Sequence, residues 1–287
     1  MNKVNFIKLV VIISGLLLIL SGCGASLENA RKLNSEGKRA EALAMAKELL
    51  KDDDVKVRIG AVNLIGNIGG KQAGEALIDV LDDPPPVKDA AIRNLGKLRY
   101  EPASKKLVSL IPDARGETFE ELAKTIRKIG PVATDELVAK FSSLPDNGRD
   151  RHKRMILAVG PTVAESIAKN LAGKSYYDNK ANFDILIAFK NPKVANLLLE
   201  HIGNIEIADM IVEGLTKLGS SAVNASISAL SMLKGRSGDT EMKERLIEVL
   251  GNLQDQRAVP LLEEMTLDDA DRVRNKATTA LRKIRGF

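Results

Sequence analysis

The sequence predicts an all-α protein, an α-α superhelix of about eight stacked helix pairs. Three observations carry that expectation. Pairs of apolar residues three apart recur at nearly constant spacing along the chain. Gly- and Pro-containing turns fall where that spacing requires a helix to reverse. The composition is 44% hydrophobic but only 3% aromatic, without Trp, so Leu, Ile, Val and Ala must fill the core. Such side chains suit helix-on-helix packing and give a β-sandwich little to work with.

Residues 1–22 have the parts of a secretory signal that is removed: Lys3 and Lys8, then an apolar core from Leu9 to Leu20, then small residues. Twelve apolar positions are too few to span a bilayer, which takes about 20. Leu20-Ser21-Gly22-Cys23 resembles the lipobox of bacterial lipoproteins. The resemblance implies that Cys23 becomes the first mature residue and carries a diacylglycerol thioether, often with an amide-linked acyl chain. Two or three chains anchor stably where one is marginal. The other reading, an ordinary secretory signal with an incidental Cys, leaves a lone thiol in a secreted chain unexplained. Gly24-Ala25-Ser26 then form a tether of roughly 10 Å at full extension, which keeps the folded body close to the membrane face. Gly24 stands where enteric-type lipoproteins use Asp for inner-membrane retention. The implied location is the cell membrane or outer membrane, facing the periplasm or exterior, with a lean to the outer membrane where the host has one.

Residues 27–51 read as an N-terminal capping pair of helices broken at Glu36-Gly37. The phrase GKRAEALAMAKELL resembles half of a tetratricopeptide unit or a degenerate first repeat, and a terminal unit is expected to be atypical because one face meets water.

From Asp54 the period can be counted over residues 54–287. Each first helix ends in Ile65/Ile68, Leu95/Leu98, Ile126/Ile129, Ile156/Val159, Leu186/Phe189, Leu215/Leu218, Leu250/Leu253 or Leu281/Ile284. Successive first members lie 30, 31, 30, 30, 29, 35 and 31 residues apart. A second helix follows each but the last, which is a single capping helix. The anchors of the second helices come 11 or 12 residues on, at Leu77, Leu107, Leu137, Ile167, Leu198, Ile227 and Leu261. Within pairs stand Gly69-Gly70, Tyr100-Glu101-Pro102, Gly130-Pro131, Gly160-Pro161, Asn191-Pro192 and Gly219-Ser220, where Gly or Asn supplies a left-handed cap and Pro opens the next helix. Between pairs lie looser joints, 82–86, 144–149, 173–177 and 234–239, of which the last accounts for the longest spacing and is the expected protease-sensitive point.

Asp54-x-x-Val57-Arg58-x-x-Ala61, Pro86-Val87-Lys88-x-x-Ala91, Gln256-Arg257-Ala258-Val259-Pro260-x-Leu262 and Asp271-Arg272-Val273-Arg274-x-x-Ala277 resemble HEAT repeats, in the short subclass named after phycobilisome lyases. Between about Gly116 and Lys234 the apolar spacing persists while the Val-Arg signature is mostly lost. The resemblance implies a HEAT-like solenoid, with first helices convex and second helices lining a concave surface.

Catalysis finds little support. His152 and His201 have no second His or carboxylate at helical metal-site spacing, and His152 reads as part of a solvated helix start, His201 as part of an exposed second helix. No nucleophile elbow, phosphate-binding loop or multi-Cys site is present, and no cofactor or small-molecule substrate is implied. The HEAT-repeat hydroxylases resemble this chain but need several His-Glu pairs, and a bilin lyase would have few aromatic residues here to hold a tetrapyrrole. Formal charge is +5, of which Lys3 and Lys8 leave with the signal, lowering it to +3. That balance argues against nucleic acid. So do the inner rows, where Glu75, Lys105, Asp135, Glu165 and Asn196 precede the anchors, and Asp79, Lys169 and Glu200 follow them, with alternating sign. A protein partner fits better, whether these are contact residues or simply solvated faces. Tyr176 and Tyr177, near Phe183, add a small aromatic cluster. From Asp271 to Phe287 six basic residues stand against one acid, which suits a helix C-terminus and a terminal unit, or else docking to an acidic surface. The expected function is a non-catalytic, membrane-anchored protein-binding scaffold of the bacterial cell envelope. The alternatives are an accessory or chaperone-like subunit of an envelope assembly, and an enzyme of bilin-lyase or hydroxylase type. Replacing Cys23 by Ser is expected to release the protein from membranes and end palmitate labelling. A variant that stays bound, beside a wild type that takes no label, would exclude the lipid anchor.

Overall fold

The computed structural model describes residues 25–171 and 176–286. Cys23 and the side chains of Tyr176 and Tyr177 lie outside the described residues, as do the signal segment and most of the 173–177 joint. Among the described residues there are seventeen α-helices and no strand. The chain divides into two compact units, Met1–Ala103 and Ser104–Phe287.

The first unit holds α1 (Leu27–Ser35), α2 (Arg39–Leu49), α3 (Val55–Ile68), α4 (Lys71–Asp79) and α5 (Pro85–Leu98). Ser26 caps α1 by accepting from the Asn29 N–H, and Asp54 caps α3 by accepting from the Lys56 N–H. Helices α1 and α2 pack on each other and on α3, and α3 packs on α4 and α5. Ala42, Leu43, Ala46 and Leu49 of α2 meet a core of Ala61, Val62, Ile65, Leu77 and Leu95. Gly66 lets α5 come close, since a Cβ there would fall 2.1 Å from Asn94 Oδ1. Asn94 in turn donates to Asn63 Oδ1 at 2.9 Å, and Lys97 donates to Asn67 Oδ1 at 2.7 Å.

The second unit holds α6 (Ser104–Ser109), α7 (Gly116–Ile129), α8 (Pro131–Ser143), α9 (Asp150–Val159), α10 (Ala164–Lys169), α11 (Tyr176–Ala188), α12 (Pro192–Leu199), α13 (Ala208–Leu218), α14 (Ser220–Leu233), α15 (Thr240–Leu253), α16 (Val259–Met265) and α17 (Asp271–Arg285). Like stacks on like. First helices pack on first helices (α7 on α9, α11 on α13, α13 on α15, α15 on α17), and second helices on second helices (α6, α8, α10, α12 and α14 in succession).

All eight first members of the apolar pairs are buried, from Ile65 to Leu281. The second-helix register departs from expectation at two places. In α14 the buried stripe is Val223, Ser226 and Leu230, leaving Ile227 half-buried at its margin. In α16 it is Leu262 and Met265, not Leu261. A stripe spaced three and four residues apart can be drawn through either of two adjacent apolar residues, and packing chooses between them.

The turns within pairs also correct the sequence reading. Gly69, Gly130, Gly160 and Gly219 have φ of 72°, 91°, 85° and 61° with extended ψ, a region closed to side chains with a Cβ. Where Gly is missing, Arg99, Lys190 and Gln254 take φ of 49°, 45° and 51°. Asn191 is not the left-handed residue. It caps α12 instead, accepting from the Lys193 N–H.

One ion pair is fully enclosed. Lys243 Nζ lies 2.7 Å from Asp268 Oδ2, with side-chain exposures of 3% and 7%. Burial pushes the Asp268 carboxyl up, but the Lys243 hydrogen bond, the Ala270 N–H and the charges of Lys243 and Arg274 outweigh it and hold it below 3.8. A depressed carboxyl stabilises the fold above its ordinary range and loses that contribution as pH falls through the folded value. Asp268→Asn is expected to cost about 3–5 kcal/mol at pH 7 by stranding the Lys243 ammonium. In thermal melts from pH 7 downward, the gap between wild type and variant should persist to pH 3.8 and close only below it.

Candidate functional site

The surface to be judged is the outward side of the second helices. In α4, Ala73, Ala76 and Leu77 face inward, and Glu75 and Asp79 are exposed opposite them. Asp79 lines an open cleft of about 560 Å³ whose other walls include Lys47, Lys51, Val80 and Asp83. Glu75 stands outside it, 3.9 Å from Lys71 Nζ. In the second unit Lys105, Glu165, Lys169, Asn196 and Glu200 are exposed and Asp135 is half-buried, with Leu107, Leu137, Ile167 and Leu198 beneath them. The structure brings Asp135 and Lys169 together, with Oδ2 and Nζ 3.7 Å apart. Under that pair Thr134 and Ser166, both buried, share a hydrogen bond of 2.8 Å between α8 and α10. No other members of the row pair with each other among the described residues.

The basic clusters serve the fold. At the start of α9, Arg149 Nε donates to the Leu144 carbonyl at 2.7 Å and its guanidinium lies 5.6 Å from the Phe141 ring centre. Arg151 donates to the Ala114 carbonyl at 2.8 Å. On α17, Arg272 meets Glu244 at 2.8 Å, Lys276 meets Glu248 at 2.6 Å, Lys283 donates to Asn252, and Arg285 and Arg274 bond to Glu263 and Asp271. Five of the six terminal cations thus have partners within the fold, which supports the structural account of that charge.

His152 is a correction. It is 2% exposed rather than solvated, on the inward side of α9 beside Met155 and Ile156, and neither ring nitrogen has a hydrogen-bond partner among the described residues. Its neighbours in sequence are charged, so local composition pointed outward while the helix phase points it in. His201 is half-buried just past the end of α12, not an exposed member of it. Among the described residues no three His, Cys, Asp or Glu are grouped to hold a metal, and no helix is long and apolar enough to cross a membrane. What the arrangement offers, in each unit taken by itself, is a polar second-helix surface, of mixed sign in the second unit from Lys105 to Glu200. Sequence reasoning did not pick out the cleft residues Lys47, Lys51 and Asp83, or the exposed Ile205, Met232 and Leu267. Apolar residues inside the polar runs GNIEI and TLDDA were the available signal for Ile205 and Leu267, and Met232 had none.

A family model described as HEAT repeats matches residues 30–96 and 192–282. The unmatched stretch covers most of the middle pairs whose signature is lost, although the match resumes at 192, before Lys234. No curated protein matches the chain. Similar solved structures include human deoxyhypusine hydroxylase in complex with glycerol, at 17% identity and a TM-score of 0.36 over 89% of this chain and 100% of that one. Another is the complex of CpcE and CpcF of phycocyanin lyase from Nostoc sp. PCC7120, at 20% and 0.33 over 72% and 88%. A designed armadillo repeat protein in complex with the peptide (KR)4 gives 15% and 0.27 over 84% and 99%.

Burial first, and the charge of Lys140 second, hold the His152 imidazole below its ordinary pKa of 6.5. The unfolded chain then binds more protons than the folded one, so stability should fall as pH drops through 6.5, by up to about 1.4 kcal/mol per pH unit. Urea melts at pH 7 and pH 5 should show that loss in wild type and its absence in His152→Leu.

Proposed function

The chain belongs to the HEAT-repeat family, and on that premise we propose that it is a non-catalytic protein-binding scaffold of the bacterial cell envelope. Lipid on Cys23 would hold it at the cell membrane or outer membrane, facing the periplasm or exterior, and the second-helix surface would receive a protein partner. The observation that carries this reading is the second-helix row. Its apolar stripe is spent on stacking, and the side chains left outside, Glu75, Asp79, Lys105, Glu165, Lys169, Asn196 and Glu200, change sign from pair to pair. Nucleic acid would call for an unbroken run of Lys and Arg, whereas alternating charge on a fixed support selects a protein surface by complementarity. Within the second unit the second helices pack on one another in succession, and such pre-ordering keeps the cost of binding low.

In-cell crosslinking followed by purification is expected to recover the same partner protein repeatedly. The double reversal Asp135→Lys with Glu165→Lys should lower that recovery while leaving the melting temperature within a few degrees. Repeated recovery of the chain alone would overturn the scaffold reading.

A further inference from the structure

We propose that the edge formed by the last three joints is a second docking surface, which takes a basic amphipathic helix of a partner protein. It rests on the scaffold reading only in that the partner is a protein, and it lies apart from the second-helix row. Three large apolar side chains stand in open solvent there: Ile205 at 75% exposure, Met232 at 70% and Leu267 at 84%. The other exposed large apolar residues among those described, Val55, Val132 and Leu157, reach at most 45% and are scattered. Single exposed apolar residues are ordinary, but one at or just beyond the end of each of three successive second helices is not. Ile205 lies in the joint after α12, Met232 in the last turn of α14, and Leu267 in the joint after α16.

The three joints are drawn to one place by the start of α15. Arg245 Nη1 donates to the Ile202 carbonyl at 2.8 Å, and a Cβ on Gly203 would lie 3.3 Å from Met242 Sδ, so α15 touches the first joint. Lys243, next to Met242 in the same turn, holds Asp268 in the third joint. Lys234, leaving α14, reaches Glu264 at 2.5 Å, and between them opens a cavity of about 330 Å³ lined by Gly235, Met265, Leu267 and Asp269 as well. The first and third joints are therefore held from beneath by the half-buried Arg245 and the buried Lys243. That support is already in place before a partner arrives.

The charge of the edge selects the occupant. Leaving out Asp268, which is neutralised by Lys243, the edge presents the carboxylates of Glu206, Asp239, Glu264 and Asp269 against the cations Lys234 and Arg236, and Lys234 is already paired with Glu264. An acidic margin around apolar side chains matches a helix that places Leu, Ile or Met at i, i+3/i+4 and i+7 with Lys or Arg beside them. It repels an anionic lipid surface.

The test is fluorescence anisotropy of the full chain with two labelled peptides of about five helical turns, one patterned Lys/Leu and one Glu/Leu with the same apolar stripe. The Lys/Leu peptide is expected to bind at least about tenfold tighter than the Glu/Leu peptide, and to weaken as salt is added. M232S with L267S should reduce its binding about tenfold with an unchanged circular-dichroism melt, since both side chains lie at the surface. Reversal of the second-helix row by Asp135→Lys with Glu165→Lys should leave the peptide untouched, which separates this surface from the row. Equal binding of both peptides, or undiminished binding by the double serine variant, would overturn the proposal. So would capture of the wild type, but not that variant, by phosphatidylglycerol vesicles, which assigns the edge to lipid. Concentration-dependent dimers lost in the same variant would assign it to a second copy and overturn it equally.

Discussion

No helix in this chain can cover its own apolar stripe, and that constraint governs everything else. Burial of a Leu or Ile side chain is worth about 1.5–3 kcal/mol, but only when another helix supplies the covering atoms. Within each unit the cover comes from the like helix of the neighbouring pair, which is why the buried first members return at nearly one interval. Close approach then becomes a requirement. Gly66 yields to Asn94, and Gly251 faces Ala280, whose Cβ would lie 2.9 Å from an added methyl. The exposed side of α17 presents Asp271, Arg272, Asn275, Thr278, Thr279 and Arg282, the polar finish expected of an end helix.

Stacking helices leaves carbonyls without partners at the end of each second helix, and arginines collect them. Arg58 donates to the Asp52 carbonyl at 2.7 Å, and Arg274 repeats the contact with Asp268 and Asp269 at 2.7 and 2.8 Å. This is the physical content of the Val-Arg signature. In the middle pairs the signature is missing but the contact survives in another register, from Arg149 to Leu144 and from Arg151 to Ala114. Arg245 does the same for Ile202. The motif can drift because the carbonyl needs a guanidinium, not a particular sequence position for it.

First helices were legible because a wide apolar stripe recurs in every one of them, and a repeated pattern averages out local noise. Short second helices were less so. Even in α14, which is 14 residues long, a Ser- and Ala-rich sequence gives two stripes of almost equal merit, and only contact with α12 and α15 decides between them. His152 was misplaced for a related reason: its five neighbours between 149 and 154 are all charged, which describes the helix as polar but not which of its sides is turned inward. Arg99, Lys190 and Gln254 carry no signature of a left-handed turn, because the fold around them imposes it. Of the candidate surface, the row could be read from spacing, whereas the joint edge depends on contacts between residues 25 to 43 positions apart.

The positive-φ turns keep the same distance from the first buried residue of each pair, from Ile65 to Gly69 through Leu250 to Gln254. The distance up to each turn is thus constant, and differences in repeat length fall beyond it, mostly in the joints between pairs. The joints are the elastic side of the chain, where residues can be gained or lost without moving a helix. A repeat protein of this construction changes its specificity cheaply along that side, and the longest interval, 35 residues, falls next to Met232.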